Sequence, residues 1–350
     1  MSSTEIESKH AFYPLRVARV IEETHDAVSF VLDVPGSLAA LFRYRAGQFL
    51  TLEIALEGGP LRRCYSLASS PQHDPVHKIT VKRVRDGRAS NWLNDRVREG
   101  DVLLAQPPEG RFVLTGTERP LLLFAGGSGI TPVISLLKTA LATTRRRARL
   151  VYANRDERSI IFHDELLELA RQAGDRLDLI FRQDDREGFV REANVTSLIG
   201  GLEDGEPYLC GPSAFMDTVE RGLLASGVPA ERVHIERFLS LPAPGAPHPS
   251  VSPGDTEQVP ETVLIKLGGV SSEVRYRPGQ SLLRAALDAS LDAPYSCEEG
   301  FCGSCVARLL EGEVRMDADD ALSAEEKRRG LILACQSRPL TRRCSIEFLD

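Results

Sequence analysis

Four cysteines have the spacing to hold iron. Cys297, Cys302 and Cys305 read C-x4-C-x2-C, and Cys335 follows after twenty-nine further residues. Three thiolates on one tight loop and a fourth from a distant segment give each of two irons two sulfur ligands. This is the plant-type pattern of a [2Fe–2S] cluster. Cys302-x2-Cys305 alone is also half of a zinc knuckle, but structural zinc usually takes two such pairs, and Cys297 and Cys335 each stand alone. Gly300, Gly303 and Ser304 among the ligands free backbone N–H groups to point at sulfur, which tunes a cluster's potential. A cluster of this kind moves one electron at a time, so the chain reads as an electron conductor.

Three further segments could bind a nucleotide or a flat ring. Gly126-Gly127-Ser128-Gly129-Ile130-Thr131-Pro132 stands between an apolar strand and a helix. Glycines there permit close approach, and a helix N-terminus favours phosphate. The third glycine of the dinucleotide fingerprint is missing, and a lone glycine run is equally a plain turn. Cys210-Gly211-Pro212 ends a later strand, and ligands of open α/β sheets bind at the carboxyl ends of strands. Both turns are therefore expected to line one crevice. In Arg63-Cys64-Tyr65-Ser66-Leu67, Arg63 suits a phosphate, Tyr65 a stacked ring and Ser66 that ring's edge. The same five residues also fit a strand with ordinary alternation. Gly87-Arg88-Ala89-Ser90, just before a short helix, would offer N–H groups to a second phosphate, or would be a simple turn capped by Ser90.

The elements that must position these segments fall into blocks. Residues 11–117 carry short alternating runs (Ala27 to Val34, Gln48 to Ile54, Lys78 to Val84) separated by Gly and Pro, with a helix over Ser90 to Val97. That spacing predicts a small antiparallel β-barrel. Over 118–241 strands alternate with helices: Pro120 to Ala125, then a helix over Pro132 to Ala142, Arg149 to Ala153, a helix over Ile160 to Ala173, Leu177 to Phe181 and Pro207 to Cys210. Such alternation implies a parallel α/β sheet. Residues 242–260 hold six prolines and read as an extended tether. Residues 261–350 open with a hairpin (Val263 to Leu267, Ser272 to Tyr276) and a helix over Ser281 to Ser290, and carry the cysteines. The chain is thus expected to be multidomain.

Composition excludes several classes. A formal charge of −7 argues against a nucleic-acid partner. No apolar run reaches membrane-spanning length, and Met1 to His10 lacks the apolar core of a secretion signal. Seven cysteines without such a signal are expected to be ligands rather than disulfides, in a cytoplasmic protein. The seven histidines are scattered and form no metal pair.

Taken together, these residues resemble the ferredoxin–NADP reductase superfamily with a plant-type ferredoxin domain, a β-grasp fold, fused at the C-terminus. Arg63-Cys64-Tyr65-Ser66 is similar to its R-x-Y-S flavin motif. Gly126 to Pro132 is similar to its G-G-x-G-x-T-P turn, and Cys210-Gly211-Pro212 to its C-G-P motif. The domain order resembles the reductase components of bacterial multicomponent oxygenases, including those of 3-ketosteroid 9α-hydroxylase and phenylacetyl-CoA epoxidase. The resemblance implies a flavin between NAD(P)H and the cluster, because hydride brings two electrons and the cluster takes one. It implies FAD rather than FMN, with Pro108 to Phe112 supplying an aromatic beside the adenine. Flavin contacts are expected from Arg63, Tyr65, Ser66, Leu67, Lys82, Gly87, Arg88, Ala89 and Ser90, and nucleotide contacts from Gly126, Gly127, Gly129, Thr131, Cys210, Gly211 and Pro212. Ser66, near flavin N5, and Phe238, sharing the nicotinamide face, are the expected catalytic pair. NADH is expected over NADPH, with discrimination after the second strand at Asn154, Arg155 and Asp156: Arg155 could pair with a 2′-phosphate, whereas Asp156 would repel one. The expected acceptor is a Rieske-type or di-iron oxygenase, with Glu298 and Glu299 steering its approach. A stand-alone NAD(P)H oxidoreductase and a redox sensor without turnover are the other functions compatible with these motifs.

Overall fold

The computed structural model describes residues 11–238, 259–300, 302–319 and 321–349. The chain forms two compact units, one ending at Glu236 and the other starting at Arg237. The proline-rich stretch 242–260 lies outside the described residues, apart from Val259 and Pro260.

The first unit begins with strands β1 (Tyr13–Thr24), β2 (Ala27–Asp33), β3 (Phe49–Leu56), β4 (Gly59–Ser66) and β5 (His77–Lys82), helix α1 (Arg88–Arg96) and strand β6 (Val102–Ala105). Their order is β4-β3-β6-β1-β2-β5. The sheet curls until its edges meet at Leu67↔Ile79, which makes it a barrel. Alternating residues such as Leu15, Val17, Leu50, Leu52, Ile79 and Val81 point inward and are buried, as period-2 strands require. Helix α1 starts at Arg88, two residues before the expected Ser90, with Gly87 as its N-cap. Ser90 does not cap it. Its hydroxyl accepts the Val84 N–H instead, at 3.1 Å.

The same unit continues with β7 (Leu121–Gly126), α2 (Ile130–Thr143), β8 (Ala148–Asn154), α3 (His163–Ala173), β9 (Leu177–Gln183), α4 (Asp184–Glu187), α5 (Glu192–Ile199), β10 (Glu206–Gly211), α6 (Ser213–Ala225) and β11 (His234–Arg237). The sheet order is β11-β10-β7-β8-β9, and β10, β7, β8 and β9 run parallel. Strand β7 is buried on both faces: Leu121, Leu123 and Ala125 join the core containing α2 and α3, while Leu122 and Phe124 join the core containing α5 and α6. That is why it reads as one continuous apolar run. Helix α3 starts at His163 rather than Ile160. Phe162 adopts a left-handed conformation, φ 61°, and the Ile161 N–H donates to the Tyr152 hydroxyl at 3.3 Å instead of to a helix carbonyl.

Barrel and sheet are joined by a buried polar seam. The Ser135 hydroxyl donates to the Ser69 carbonyl at 2.5 Å, and the Ser70 and Thr139 hydroxyls lie 2.7 Å apart. Lys138 pairs with Asp74 at 2.5 Å and Glu165 at 2.6 Å, and Glu165 also takes Lys78 at 3.0 Å.

The second unit contains β12 (Thr262–Leu267), β13 (Val270–Arg275), α7 (Leu282–Asp288), β14 (Val306–Glu311), β15 (Val314–Met316), α8 (Ala324–Arg328), β16 (Leu331–Leu333), β17 (Ser337–Pro339) and β18 (Ser345–Phe348). The five-stranded order is β13-β12-β18-β14-β16, with β15 and β17 forming a separate ribbon. A hairpin whose first strand pairs in parallel with the last strand, with α7 contributing Leu282, Leu283, Ala285 and Ala286 to the core, is the β-grasp arrangement.

Candidate functional site

The parallel sheet reverses direction at β7. The chain proceeds from β7 to β8 and β9, then returns to place β10 on the other side. A crevice opens at the carboxyl ends of strands at such a switch point. The glycine turn after β7 and the Cys210-Gly211-Pro212 turn after β10 meet there. A Cβ on Gly129 would lie 2.1 Å from the Cys210 carbonyl oxygen, and one on Gly126 would lie 2.8 Å from Pro212 Cδ. Only glycine allows this approach. The two turns therefore touch at the switch point. Thr131 is buried in the first turn of α2, and its hydroxyl donates to the Ser128 carbonyl at 3.1 Å. Burial pushes the Cys210 thiol well up, with Glu236 adding to the rise, so it packs as a neutral side chain.

The barrel brings β4 and β5 to the same region. The Lys82 ammonium lies 3.9 Å from where a Gly127 Cβ would be, and burial lowers its pKa against the opposing pull of Asp26. The Leu67↔Ile79 bridge lays Ser66 alongside the strand that ends in Lys82. Ser66 is 2% exposed and its hydroxyl has no hydrogen-bond partner. A buried hydroxyl is normally paired, so this orphan fits a site completed by a ring-edge acceptor or donor. Tyr65 is half-buried, and desolvation raises its hydroxyl pKa. Arg63 donates to the Arg62 carbonyl at 2.6 Å. Leu67 buries its side chain in the barrel core. Gly87, Arg88, Ala89 and Ser90 form the N-terminus of α1, and Arg88 donates to the Glu57 carbonyl at 2.5 Å. Phe112 belongs to the buried core that contains α2. It is 4% exposed and packs edge-on against Tyr208, 5.5 Å between centroids. Phe238 follows β11 at the start of the second unit and is 37% exposed.

At the end of β8 a cleft of about 580 Å³ is lined by His25, Arg155, Asp156 and Arg158. Asp156 caps the turn Glu157–Ser159, accepting the Ser159 N–H at 2.9 Å and its hydroxyl at 2.7 Å. These bonds, foremost the hydroxyl's, lower its pKa. Asp26, which the sequence did not mark, reaches into this region from the β1–β2 turn and pairs with Arg155 at 3.0 Å.

In the second unit the thiols are paired. Cys297 is within hydrogen-bonding reach of Cys302, and Cys305 of Cys335. Among the described residues no three His, Cys, Asp or Glu side chains converge where a single ion would sit. Two such pairs could hold two irons, each with two thiolate ligands. The loop turns through left-handed residues Glu298 and Gly300. Glu299 N–H donates to Cys297 Sγ at 3.4 Å and Gln336 Nε2 to Cys335 Sγ at 3.5 Å. Burial pushes the Cys297 thiol up, and the nearby Cys302 pushes it further. Cys305 is raised by its bond to Cys335 and by burial. Four crowded thiols become thiolates only beside a compensating cation, which a metal centre supplies. All seven cysteines are free of disulfides.

A switch-point crevice, a barrel with an orphaned hydroxyl and a paired-thiol loop define a flavin- and iron–sulfur-dependent NAD(P)H oxidoreductase. Three family profiles match: an oxidoreductase FAD-binding domain over residues 14–114, an oxidoreductase NAD-binding domain over 123–221 and a 2Fe-2S iron-sulfur cluster binding domain over 265–340. The chain is 42% identical to the ferredoxin reductase component of 3-ketosteroid-9-alpha-monooxygenase from Rhodococcus rhodochrous, over 99% of this chain and 100% of that protein. It is 33% identical to a component of the 1,2-phenylacetyl-CoA epoxidase from Escherichia coli, over 96% of this chain and 98% of that one. Among solved structures, phthalate dioxygenase reductase aligns with a TM-score of 0.60 and 29% identity, over 96% of this chain and 98% of that one. The chain belongs to the family of oxygenase reductase components that carry FAD, a pyridine nucleotide and a [2Fe–2S] cluster. Its partner is an oxygenase that accepts its electrons. No described helix is long and apolar enough to cross a membrane.

Proposed function

We propose that this chain carries electrons from NADH to its oxygenase, with its residues dividing the work. The observation that carries the reading is the contact between the Gly126–Gly129 and Cys210–Pro212 turns at the switch point, with Lys82 of the barrel beside them. Gly127, Gly129, Thr131 and the Cys210-Gly211-Pro212 turn hold the nicotinamide half of the nucleotide. Asp156 receives a ribose hydroxyl, as an acidic residue after the second strand does in related sheets. Arg63 and the N–H groups of Gly87 to Ser90 neutralise the flavin pyrophosphate. Tyr65 supports the flavin ring, and Ser66 hydrogen-bonds its edge near N5. Cys297 and Cys302 hold one iron, Cys305 and Cys335 the other. Bound flavin supplies the change from hydride to single electrons. The cytoplasm, where thiols and nicotinamide stay reduced, is the compartment this chemistry requires.

The test separates the two steps. Wild-type protein with NADH should reduce ferricyanide and cytochrome c, and its dithionite-reduced form should give the rhombic EPR signal of a [2Fe–2S] centre. Cys335→Ser should keep ferricyanide reduction from the flavin while losing the EPR signal and most cytochrome c reduction. Wild-type protein that binds flavin and cluster but turns over neither acceptor would make it a sensor.

A further inference from the structure

Asp26 gathers three basic side chains at the cleft beside the end of β8. It occupies the turn between β1 and β2 with its side chain 16% exposed. Thr24 Oγ1 donates to Asp26 Oδ1 at 2.9 Å and orients the carboxylate. Asp26 Oδ2 then takes Arg155 Nη2 at 3.0 Å, with Lys82 Nζ at 3.8 Å and His25 Nε2 at 3.9 Å. Arg155 leaves β8 with its side chain 65% exposed, and it lines the cleft with His25, Asp156 and Arg158.

We propose that Asp26 is a specificity-determining residue: by engaging Arg155 it biases the cleft toward NADH and against NADPH. The inference rests on the reading that the adenosine ribose lies at the end of β8. There NADH presents a 2′-hydroxyl and NADPH a phosphate dianion. A phosphate is best held by an arginine offering two N–H groups. Arg155 is the cation positioned at the strand end, and it already donates to a largely buried carboxylate. To bind the phosphate it must leave Asp26 short of a partner, and the dianion must approach both Asp26 and Asp156. A ribose hydroxyl demands neither. Both Ser159 bonds fall on Asp156 Oδ1, so Oδ2 is not used by them and suits a hydroxyl donor. Arg158 also lines the cleft, so selection comes from the Asp26–Arg155 pairing and not from a net negative wall.

The experiment is steady-state reduction of ferricyanide by the flavin- and cluster-loaded full chain, with kcat/KM measured for NADH and NADPH. Asp26→Asn keeps the shape and removes the charge. It should raise the NADPH/NADH ratio of kcat/KM at least tenfold, and adding Arg155→Ala should abolish that rise. Thr24→Val, which removes only the orienting hydroxyl, should move the ratio the same way by a smaller factor, and serves should Asp26→Asn fail to fold. A ratio within twofold of wild type in both Asp26→Asn and Thr24→Val, or a rise that survives Arg155→Ala, overturns the proposal. Asp156→Ala and Arg155→Ala distinguish the levels of failure. If they alter KM while Asp26→Asn leaves the ratio alone, only the inference fails. If neither alters KM for either nucleotide, the placement of the ribose fails and takes the inference with it.

Discussion

Replacing Ser66 with alanine should have opposite effects on the flavin-free and flavin-loaded protein. Its hydroxyl is buried, 2% exposed, with no partner. An unsatisfied buried hydroxyl costs about 1–3 kcal/mol, whereas a neutral hydrogen bond contributes about 0.5–1.5 kcal/mol. In the flavin-free protein Ser66→Ala removes the penalty and loses only one oxygen's packing, so stability should rise by about 1 kcal/mol. In the loaded protein the same change removes the bond to the ring edge and costs about 1 kcal/mol. The two shifts add in the binding equilibrium, so FAD should bind about 2 kcal/mol more weakly, roughly thirtyfold in Kd. Urea unfolding of both forms, followed by far-UV circular dichroism, gives the stability terms. Fluorescence titration of the flavin-free protein with FAD gives Kd. Loss of stability in the flavin-free variant, or a Kd within twofold of wild type, would refute the placement of Ser66 against the flavin.

Two further outcomes concern the seam and the cluster loop. Lys138, 3% exposed between Asp74 and Glu165, is the hub of the seam. Lys138→Met leaves two carboxylates short of their shared cation and should destabilise the first unit by about 3 kcal/mol, the lower end for a broken buried pair because Lys78 remains on Glu165; a urea midpoint equal to wild type would contradict this. Burial pushes the Glu165 carboxyl up, but Lys78 and Lys138 outweigh it and hold it below the ordinary 4.5. Its stabilisation is therefore complete above that value and lost as pH falls through the lower folded value. In Lys138→Met the folded value of Glu165 moves back up, so its share of the acid decline should shrink, as urea midpoints measured down a falling pH series would show. Gln336 Nε2 donates to the Glu298 carbonyl at 3.0 Å and Cys335 Sγ at 3.5 Å. Hydrogen bonds to cluster sulfur favour the reduced state, so Gln336→Leu should shift the midpoint of an EPR-monitored titration to more negative potential. An unchanged midpoint would show that this bond does not tune the centre.

What could be read from the chain depended on how local the cause was. The cysteine spacing carries its meaning in one segment, and the strand–helix alternation after residue 118 forces a parallel sheet whatever surrounds it. Helix α3 is a turn shorter than its pattern suggests because the Tyr152 hydroxyl, supplied by β8, takes the Ile161 N–H. The edge-on contact of Phe112 with Tyr208 on β10 joins two distant segments, so no local pattern reports it. Asp26 resembles any hairpin aspartate, and the arginine it holds lies 129 residues away. No periodicity or motif reports a pairing of that separation.

The incomplete dinucleotide fingerprint has a physical explanation in the same terms. Aligned on Gly127 and Gly129, the position of the third glycine is Pro132. In the standard motif that glycine lets a helix pack tightly on its own strand. Here Pro132 sits in the first turn of α2, where a proline is tolerated because first-turn N–H groups lack helical partners. The close approach is made between two turns instead. Gly129 meets the Cys210 carbonyl, and a Cβ on Gly211 would lie 2.9 Å from Gly126 N. The glycine requirement has moved from the helix–strand contact within one unit to the contact between β7 and β10 across the switch point. A search that scores only the contiguous fingerprint undervalues this turn, because half of its glycine requirement is met by Gly211 in another segment.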